Sequence, residues 1–366
     1  MNLVEYDHIC VYKLHDLAAA QPVLPLLNLN IYTSRLSRTS PIRPRPKMSF
    51  FSLPSAAYII HITGLATLSL LAARIINFVR LYTTPGTLSR YARPNAYALV
   101  TGASDGIGKA FAFSLASKGF NIILHGRNAT KLDAVRAELL AAHPDVKCRV
   151  VIAEAGQSHG MKAAVEGVVS SLADLDGPLT VLVNNVGGAF PHGVPALTTV
   201  SEQDWSYTDT SINMNVRFTM QLTRALLPTL KASQPSLVLT MGSMAGSIGI
   251  PYNTLYSGFK SCLMTWSKAL CRELQMQGAE IEMIGLVAGE VRATTYLREE
   301  PAFMQPAAST WVESALERVG SGYSVVAPYW PHALTIGAVE MLPEGVQTLV
   351  VKGVTKGLVE SFNKKQ

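Results

Sequence analysis

The chain has 366 residues, of which 48% are hydrophobic, enough to form one large α/β domain with additional segments. Its formal net charge of +6 is placed unevenly: residues 1–94 carry ten Lys or Arg against three Asp or Glu, whereas residues 95–366 carry 21 against 22. The nearly neutral main part argues against nucleic-acid binding, which requires a basic face. Four cysteines, Cys10, Cys148, Cys262 and Cys271, show neither paired nor metal-ligand spacing, so we expect structural thiols in a reducing compartment and no metal site.

Residues 1–47 show no clear hydrophobic periodicity and end in the basic, proline-rich run PIRPRPK. Prolines at this density prevent a helix in that run. Two interpretations stay open: an N-terminal targeting or linker arm, or a gene-model extension ahead of a true start at Met48.

Residues 48–82 predict a membrane anchor. No charged residue occurs from Met48 to Ala73, and roughly 20 apolar residues are enough to cross a bilayer core. Arg74 can snorkel at the boundary. The alternatives are a hydrophobic helix docked on the domain and a cleaved signal peptide, although no small-residue cleavage site follows the apolar run. Basic residues flank both sides, so charge does not determine the orientation.

The first part of the main domain predicts a dinucleotide-binding unit. Residues 97–100 form a candidate buried strand, a turn with three glycines follows, and Phe111 and Leu115 lie on one face of the next helix. Residues 122–124 form a second strand. Glycines at such a turn let the backbone approach a pyrophosphate at the helix N-terminus. The glycines are Gly102, Gly106 and Gly108.

The residue after the second strand indicates which dinucleotide is bound. An NAD site would place a carboxylate there, but the chain has Gly126, Arg127 and Asn128. Arg127 can pair with a 2′-phosphate, which favours NADP. The alternative is an arginine that simply faces solvent.

Strands and helices continue to alternate, which predicts a doubly wound parallel sheet of the Rossmann type covered on both faces. The predicted strands are residues 148–152, 179–183, 237–241 and 280–286. The predicted helices are residues 130–142, 161–172 and 212–230, with Asn215 near the start of the last.

A pair of side chains follows in the apolar run 254–266. Tyr256 and Lys260 are four residues apart and therefore project from one face of a helix. A lysine beside a tyrosine favours the phenolate, which makes the phenol a better acid or base near neutral pH. Ser243 ends the fifth strand, which should abut this helix.

Five elements in order make residues 96–326 resemble a short-chain dehydrogenase/reductase. Within that family the chain is most similar to the branch of very-long-chain 3-oxoacyl-CoA reductases and 17β-hydroxysteroid dehydrogenases. The five elements are residues 101–108, residues 184–187, Asn215, Ser243 and residues 256–260. The resemblance implies cofactor contacts at Thr101, Gly102, Ser104, Asp105, Gly106, Ile107, Gly108, Arg127, Asn184, Tyr256 and Lys260.

The resemblance also implies catalytic roles. Tyr256 would donate a proton to a substrate carbonyl as hydride arrives, Lys260 would lower the tyrosine pKa and bind the nicotinamide ribose, and Ser243 would polarise the carbonyl. Asn215 would hold a water that links Lys260 to solvent. The implied location is the endoplasmic reticulum membrane with a cytosolic catalytic domain. The implied partners are an apolar carbonyl substrate, the membrane, fatty-acid elongation components and a second copy of the chain.

Several positions depart from the family pattern and leave the substrate open. Glu154 stands where the family places an Asp against adenine, Ala288 and Gly289 replace Pro-Gly, and Thr294 fits the carboxamide contact only with a one-residue shift. Arg292 and Arg298 are candidates for a CoA phosphate or plain surface charge.

Three functions therefore stand: reduction of a 3-oxoacyl-CoA with NADPH, the same chemistry on a steroid, terpenoid or other secondary metabolite, and a non-catalytic membrane scaffold. Residues 327–366 are expected to form an apolar extension that covers the substrate tunnel or lies on the membrane, rather than a second spanning helix, and to end in the basic pair Lys364-Lys365.

Overall fold

The computed structural model describes residues 56–188, 199–292 and 302–363. The predicted arm 1–47, Met48, Thr294, Arg298 and the Lys364-Lys365 tail lie outside these residues. The strands are β1 (Tyr97–Thr101), β2 (Asn121–Gly126), β3 (Cys148–Ile152), β4 (Leu179–Asn184), β5 (Ser236–Ser243), β6 (Ile281–Ala288) and β7 (Val325–Val326). The helices are α1 (Ala56–Thr83), α2 (Gly106–Ser117), α3 (Ala129–Ala142), α4 (Met161–Ser170), α5 (Trp205–Ile212), α6 (Phe218–Ala232), α7 (Ala245–Ile248), α8 (Thr254–Met276), α9 (Ala308–Leu316), α10 (Trp330–Glu340) and α11 (Glu344–Asn363).

The strands form one parallel sheet in the order β3-β2-β1-β4-β5-β6-β7. The strand order reverses between β1 and β4, and ligands bind such sheets at this switch point, beyond the carboxyl ends of the strands. Every residue of β1, β2 and β4 is buried. Burial on both faces explains why these strands are nearly continuous apolar runs, and the predicted doubly wound Rossmann fold is confirmed.

Each face of the sheet has its own core. Ala98 and Val100 of β1 pack with Phe111 of α2 and Trp311 of α9 on one face, where the two rings meet edge-on with centroids 6.3 Å apart. Leu99 faces the opposite side and packs there with residues of α4, α6 and α8. The period of two along a strand therefore builds both cores from the same short segment.

The prediction that Asn215 lies near the start of a helix beginning at residue 212 is wrong. The helical path begins earlier, at Trp205, because the Asp204 carboxylate caps it and accepts a 2.7 Å hydrogen bond from the Tyr207 N–H. It continues into α6 through a π-helical turn, Asn213–Arg217. Asn215 belongs to this π-helical turn, which holds one residue more than an α-helical turn. It therefore lies in the middle of a long helical path.

Within the described residues, α1 is the one helix long and apolar enough to cross a membrane, and none of its residues is buried. The chain divides into two compact units, Met1–Thr63 and Gly64–Gln366, and the last turn of α1 belongs to the second. There the Tyr82 hydroxyl donates a 2.6 Å hydrogen bond to the Ala327 carbonyl. The Arg318 guanidinium donates to the Leu81 carbonyl and lies 5.2 Å from the Tyr82 ring. These contacts fix the end of α1 on the second unit.

Candidate active site

Three of the predicted residues meet at the carboxyl edge of the sheet. Ser243 is the last residue of β5, while Tyr256 and Lys260 lie on the first two turns of α8. The Ser243 hydroxyl lies close enough to the Tyr256 phenol to lower its pKa. The Lys260 ammonium lies 5.4 Å from the centroid of the Tyr256 ring. The structure thus places a hydroxyl, a phenol and an ammonium in one cluster.

Burial controls the proton affinities in this cluster. Burial raises the pKa of Tyr256, and the hydrogen bond from Ser243 opposes this rise because it stabilises the phenolate. Burial lowers the pKa of Lys260 to about 8. The Lys260 ammonium donates a 2.9 Å hydrogen bond to the Met241 carbonyl, which partly compensates its loss of hydration. Tyr256 therefore keeps its proton at neutral pH, in contrast to the lowered tyrosine pKa that the family resemblance implies, and Lys260 stays largely protonated beside it.

Asn215 joins the cluster to the turn that follows β4. Its side-chain oxygen accepts a 3.0 Å hydrogen bond from the Gly188 N–H, and its amide donates to the Gly188 and Ser211 carbonyls at 3.1 Å. A Cβ on Gly187 would lie 2.7 Å from the Asn215 side-chain oxygen and 3.5 Å from the Lys260 ammonium. Gly187 therefore has no room for a side chain, and Asn215 and Lys260 both approach it.

The turn between β1 and α2 has the shape that the glycines predict. Gly102 has a φ of +64°, a left-handed conformation that favours glycine. A Cβ on Gly108 would lie 2.1 Å from the Gly102 carbonyl oxygen. The Asp105 carboxylate accepts a 2.7 Å hydrogen bond from Gly106 at the start of α2. Ser104 and Ile107 are partly exposed on the same turn. The helix N-terminus thus sits directly against the end of β1, with its backbone accessible.

Asn185 holds this turn, and the sequence analysis did not assign it a site role of its own. Its amide donates to the Thr101 and Gly102 carbonyls at 3.0 and 3.2 Å. Asn184 faces the core instead, where its amide donates to Thr223 at 2.8 Å and its side-chain oxygen has no partner. Successive strand residues point to opposite faces, so only one of two adjacent asparagines can reach the glycine turn.

Thr101 completes the connection between β1 and β4. Its hydroxyl donates to the Val183 carbonyl at 3.1 Å and accepts from the Asn185 and Val186 N–H groups at 2.9 and 3.0 Å. One buried hydroxyl therefore uses all of its hydrogen-bonding capacity at the switch point of the sheet.

Arg127 follows β2 and faces Glu154, which follows β3. The guanidinium nitrogen lies 3.8 Å from the carboxylate oxygen, and both side chains are partly exposed. Glu154 also accepts a 2.9 Å hydrogen bond from the Gly156 N–H. An exposed pair at this distance contributes at most about 1 kcal/mol, so a phosphate dianion can compete for the guanidinium.

His332 of α10 contacts the site and was missed by the sequence analysis. Its Nδ1 accepts a 3.1 Å hydrogen bond from the Gly289 N–H, and its Nε2 lies 3.1 Å from the Met304 carbonyl. The ring occupies the space beside Gly289, where a Cβ would lie 2.8 Å from it. Ala288 is the strand-register partner of Ser243. His332 therefore holds the backbone at the end of β6, one residue after the register partner of Ser243.

Hydrogen bonds join the two ends of the segment that is expected to form the substrate loop. The Arg292 guanidinium donates to the Gln305 side-chain oxygen, and the Gln305 amide donates to Glu290 at 2.5 Å. This network holds residues 290–292 against residue 305. It gives Arg292 a structural role alongside its candidate role at a CoA phosphate.

The chain is similar to known proteins both in sequence and in fold. The family profile described as short chain dehydrogenase matches residues 96–303. A very-long-chain 3-oxoacyl-CoA reductase of Scheffersomyces stipitis is 36% identical over 273 residues, which cover 70% of this chain and 75% of that protein. A protein of the same name from Ajellomyces capsulatus is 32% identical over 321 residues, covering 85% of this chain and 90% of that one.

Solved structures share the fold at lower identity. A structure described for 7β-hydroxysteroid dehydrogenase stereoselectivity has a TM-score of 0.61 at 20% identity and covers 70% of this chain and 96% of its own. A short-chain dehydrogenase from Sphingobium yanoikuyae in complex with NADPH has a TM-score of 0.53 at 22% identity, with coverages of 73% and 95%. At these identities the likeness concerns the fold alone.

We expect Lys260→Met to remove activity without lowering stability. The folded protein releases the ammonium proton near pH 8, whereas the unfolded chain keeps it to about pH 10.4, so wild-type stability rises between these values. The variant should lack this rise, a difference of up to about 3 kcal/mol. Thermal melting in detergent at pH 7 and pH 9.5 measures it, with Lys268→Met, an exposed lysine on the same helix, as control. A variant that melts well below wild type at pH 7 would contradict the expectation.

We expect His332→Leu to lower kcat/KM about tenfold, since it leaves the Gly289 N–H and the Met304 carbonyl without partners. His332→Gln carries one acceptor and one donor and should restore most of the loss. Burial lowers the pKa of His332, so the ring is neutral at pH 7 and loses its acceptor only on acidification. The wild-type rate should therefore fall more steeply in acid than the rate of the glutamine variant. Equal kcat/KM values for His332→Leu and His332→Gln would show that the hydrogen bonds of the ring have no positioning role.

Proposed function

The chain belongs to the short-chain dehydrogenase family, on the branch of the very-long-chain 3-oxoacyl-CoA reductases, and from that premise we propose its reaction. The proposed function is NADPH-dependent reduction of a 3-oxoacyl-CoA to the 3-hydroxyacyl-CoA in very-long-chain fatty-acid elongation. The convergence of Ser243, Tyr256 and Lys260 at the carboxyl edge of the sheet carries this proposal. Relatives of that name at 31–36% identity support the substrate class.

The residues at the switch point fit a dinucleotide. The close approach of Gly108 to Gly102 leaves an accessible helix N-terminus, which suits a pyrophosphate. Arg127 offers a partly exposed guanidinium for a 2′-phosphate. The partly exposed residues Ser104, Gly106 and Ile107 would meet the phosphates and the adjoining ribose, while Thr101, Gly102, Asp105 and Gly108 hold the turn in shape. When bound, NADPH supplies the hydride.

The chain's own residues manage the charge that develops on the substrate. A ketone oxygen becomes negative as its carbon is reduced, so it needs a hydrogen bond and then a proton. The Ser243 hydroxyl would orient and polarise this oxygen, and the Tyr256 phenol would protonate it. Because the Tyr256 pKa is raised by burial, the phenol carries its proton at neutral pH.

The Lys260 ammonium is close enough to Tyr256 to stabilise the phenolate left by the proton transfer. Asn215 would hold the water through which the tyrosine regains a proton, beside Gly187, whose lack of a side chain lets Asn215 and Lys260 approach it closely. Asn184 supports β4 from the core side, next to the dinucleotide.

Anchoring in a membrane is part of the proposed function. Helix α1 has the length and composition of a membrane span, and a long-chain acyl substrate partitions into lipid. We assign the anchor to the endoplasmic reticulum membrane, with the catalytic domain in the cytosol, since free thiols such as Cys148 and Cys271 suit a reducing compartment. Elongation components and a second copy of the chain are the proposed protein partners.

We expect Arg127→Ala to raise KM for NADPH about 10- to 100-fold and to leave KM for NADH nearly unchanged, because only NADPH carries the 2′-phosphate. Glu154→Gln should lower KM for NADPH, because it frees the guanidinium. Arg136→Ala, which removes an exposed arginine of α3, is the matched control. Steady-state kinetics with both cofactors measures the effect, and an equal rise for NADPH and NADH would refute the assignment of Arg127.

Turnover by the detergent-solubilised full chain tests the reaction itself. We expect NADPH oxidation with a long-chain 3-oxoacyl-CoA, and a loss of about 10²- to 10⁴-fold in Tyr256→Phe, which keeps the ring and removes the proton donor. Steroid and terpenoid ketones are the comparison substrates.

Activity confined to a polycyclic ketone would keep the catalytic assignments and reject fatty-acid elongation. Equally negligible activity in wild type and Tyr256→Phe with every substrate would favour a non-catalytic scaffold.

A further inference from the structure

The exposed side of α10 is apolar except for Glu340 at its last position, whereas a water-facing helix shows mostly polar residues on that side. Trp330, Leu334 and Met341 are 42%, 50% and 79% exposed. Together with exposed Ala338 they recur at intervals of four, four and three residues, which places them along one stripe. The opposite side of α10, which includes His332 and Ile336, is buried in the domain.

Residues 303–304 extend this stripe toward the active site. The Phe303 ring is 61% exposed and meets the Trp330 ring edge-on, with centroids 5.4 Å apart. The Tyr329 hydroxyl donates a 2.8 Å hydrogen bond to the Phe303 carbonyl, and His332 contacts the Met304 carbonyl. We call the five residues Phe303, Met304, Trp330, Leu334 and Met341 the apolar face.

The apolar face begins close to the end of α1. The Tyr82 hydroxyl is bonded to Ala327, and the Cα atoms of Ala327 and Trp330 are at most about 11 Å apart along the chain. Val79 and Ile76, about one and two turns before Tyr82, are more than half exposed on α1. If α1 is a membrane anchor, the headgroup layer, about 5–7 Å thick on each side of the bilayer, reaches this part of the domain.

We propose that the apolar face lies against the bilayer in which α1 is anchored, so that the substrate-loop edge of the active site opens onto lipid. The partner is a lipid surface: acyl chains meet Phe303 and Leu334, and the indole of Trp330 lies at headgroup level, where tryptophan is enriched. The hydrogen bond from Tyr82 in the last turn of α1 to Ala327, three residues before α10, favours lipid over a second protein chain. This inference depends on the membrane anchoring in the proposed function, but not on the identity of the carbonyl substrate.

The arrangement gives a route for an apolar substrate. Met304 is bonded to His332, which also holds Gly289 at the end of β6, next to Ser243. An acyl chain that leaves the bilayer beside Phe303 would therefore enter at the edge of the domain that His332 connects to the end of β6, beside Ser243. Entry from lipid keeps more of the apolar substrate surface out of water than entry from solvent.

Photo-crosslinking of the full chain in lipid nanodiscs tests the inference. A benzophenone amino acid replaces Leu334 or Phe303 in separate variants. A third variant carries it at Met276, which is 89% exposed at the end of α8, near the amino edge of the sheet. We expect lipid adducts by mass spectrometry at positions 334 and 303, at least tenfold more abundant than at position 276.

Adducts at 334 no more abundant than at 276, or crosslinks to a second copy of the chain in place of lipid, would overturn the inference. The crosslinking requires no turnover, so its result tests lipid contact even if the proposed reaction is wrong.

A kinetic measurement gives a second readout. Leu334→Ser should raise KM for a long-chain substrate delivered in vesicles several-fold and leave KM for a short, water-soluble analogue unchanged, whereas Met276→Ser should change neither. An equal rise for both substrates would contradict entry from lipid.

Discussion

The site depends on one small set of hydrogen bonds, which fixes the end of β1 to the end of β4. The Thr101 hydroxyl and the Asn185 side chain together make bonds to the backbone of both strands and of the glycine turn. This is the point where the strand order reverses, so the crevice above it exists only if the two strand ends stay together. The tight contact of Gly108 with Gly102 then sets α2 directly against this junction.

Burial shifts the pKa values of Tyr256 and Lys260, so the cluster that contains them and Ser243 is costly to desolvate. Lys260 is 4% exposed and has a pKa of about 8, so its surroundings disfavour the charge that the reaction needs. Tyr256 is shifted in the direction that keeps its proton. Both shifts arise from desolvation, which also strengthens every charge interaction within the cluster. Burial of the Lys260 charge therefore lowers stability at neutral pH, while burial of Tyr256 keeps its phenol protonated.

The segment after β7 connects the end of α1 to the edge of the proposed active site. Within residues 327–332, one backbone carbonyl accepts from the last turn of α1, one hydroxyl holds residue 303, and one imidazole joins residue 304 to the end of β6. These contacts place the end of α1 and the edge of the proposed active site on the same short piece of chain. The contact of Arg318 with Leu81 and the Tyr82 ring adds a second link between α1 and the domain.

The sequence by itself determined the sheet, the glycine turn, the apolar anchor segment and the set of Ser243, Tyr256 and Lys260. These follow from local rules: apolar runs make buried strands, glycines permit a left-handed turn, and a four-residue spacing puts two side chains on one helix face. Family resemblance added Asn215 and the expected reaction. Tertiary structure alone decided that Asn185 rather than Asn184 holds the glycine turn, since strand alternation must be combined with the position of α2.

Tertiary structure also decided that Asn215 lies in a π turn, that Glu154 faces Arg127, and that His332, 43 residues from Gly289, completes the site. The physical reason is the same in each case. Local propensity is encoded in neighbouring residues, whereas hydrogen bonds between distant elements depend on how those elements pack.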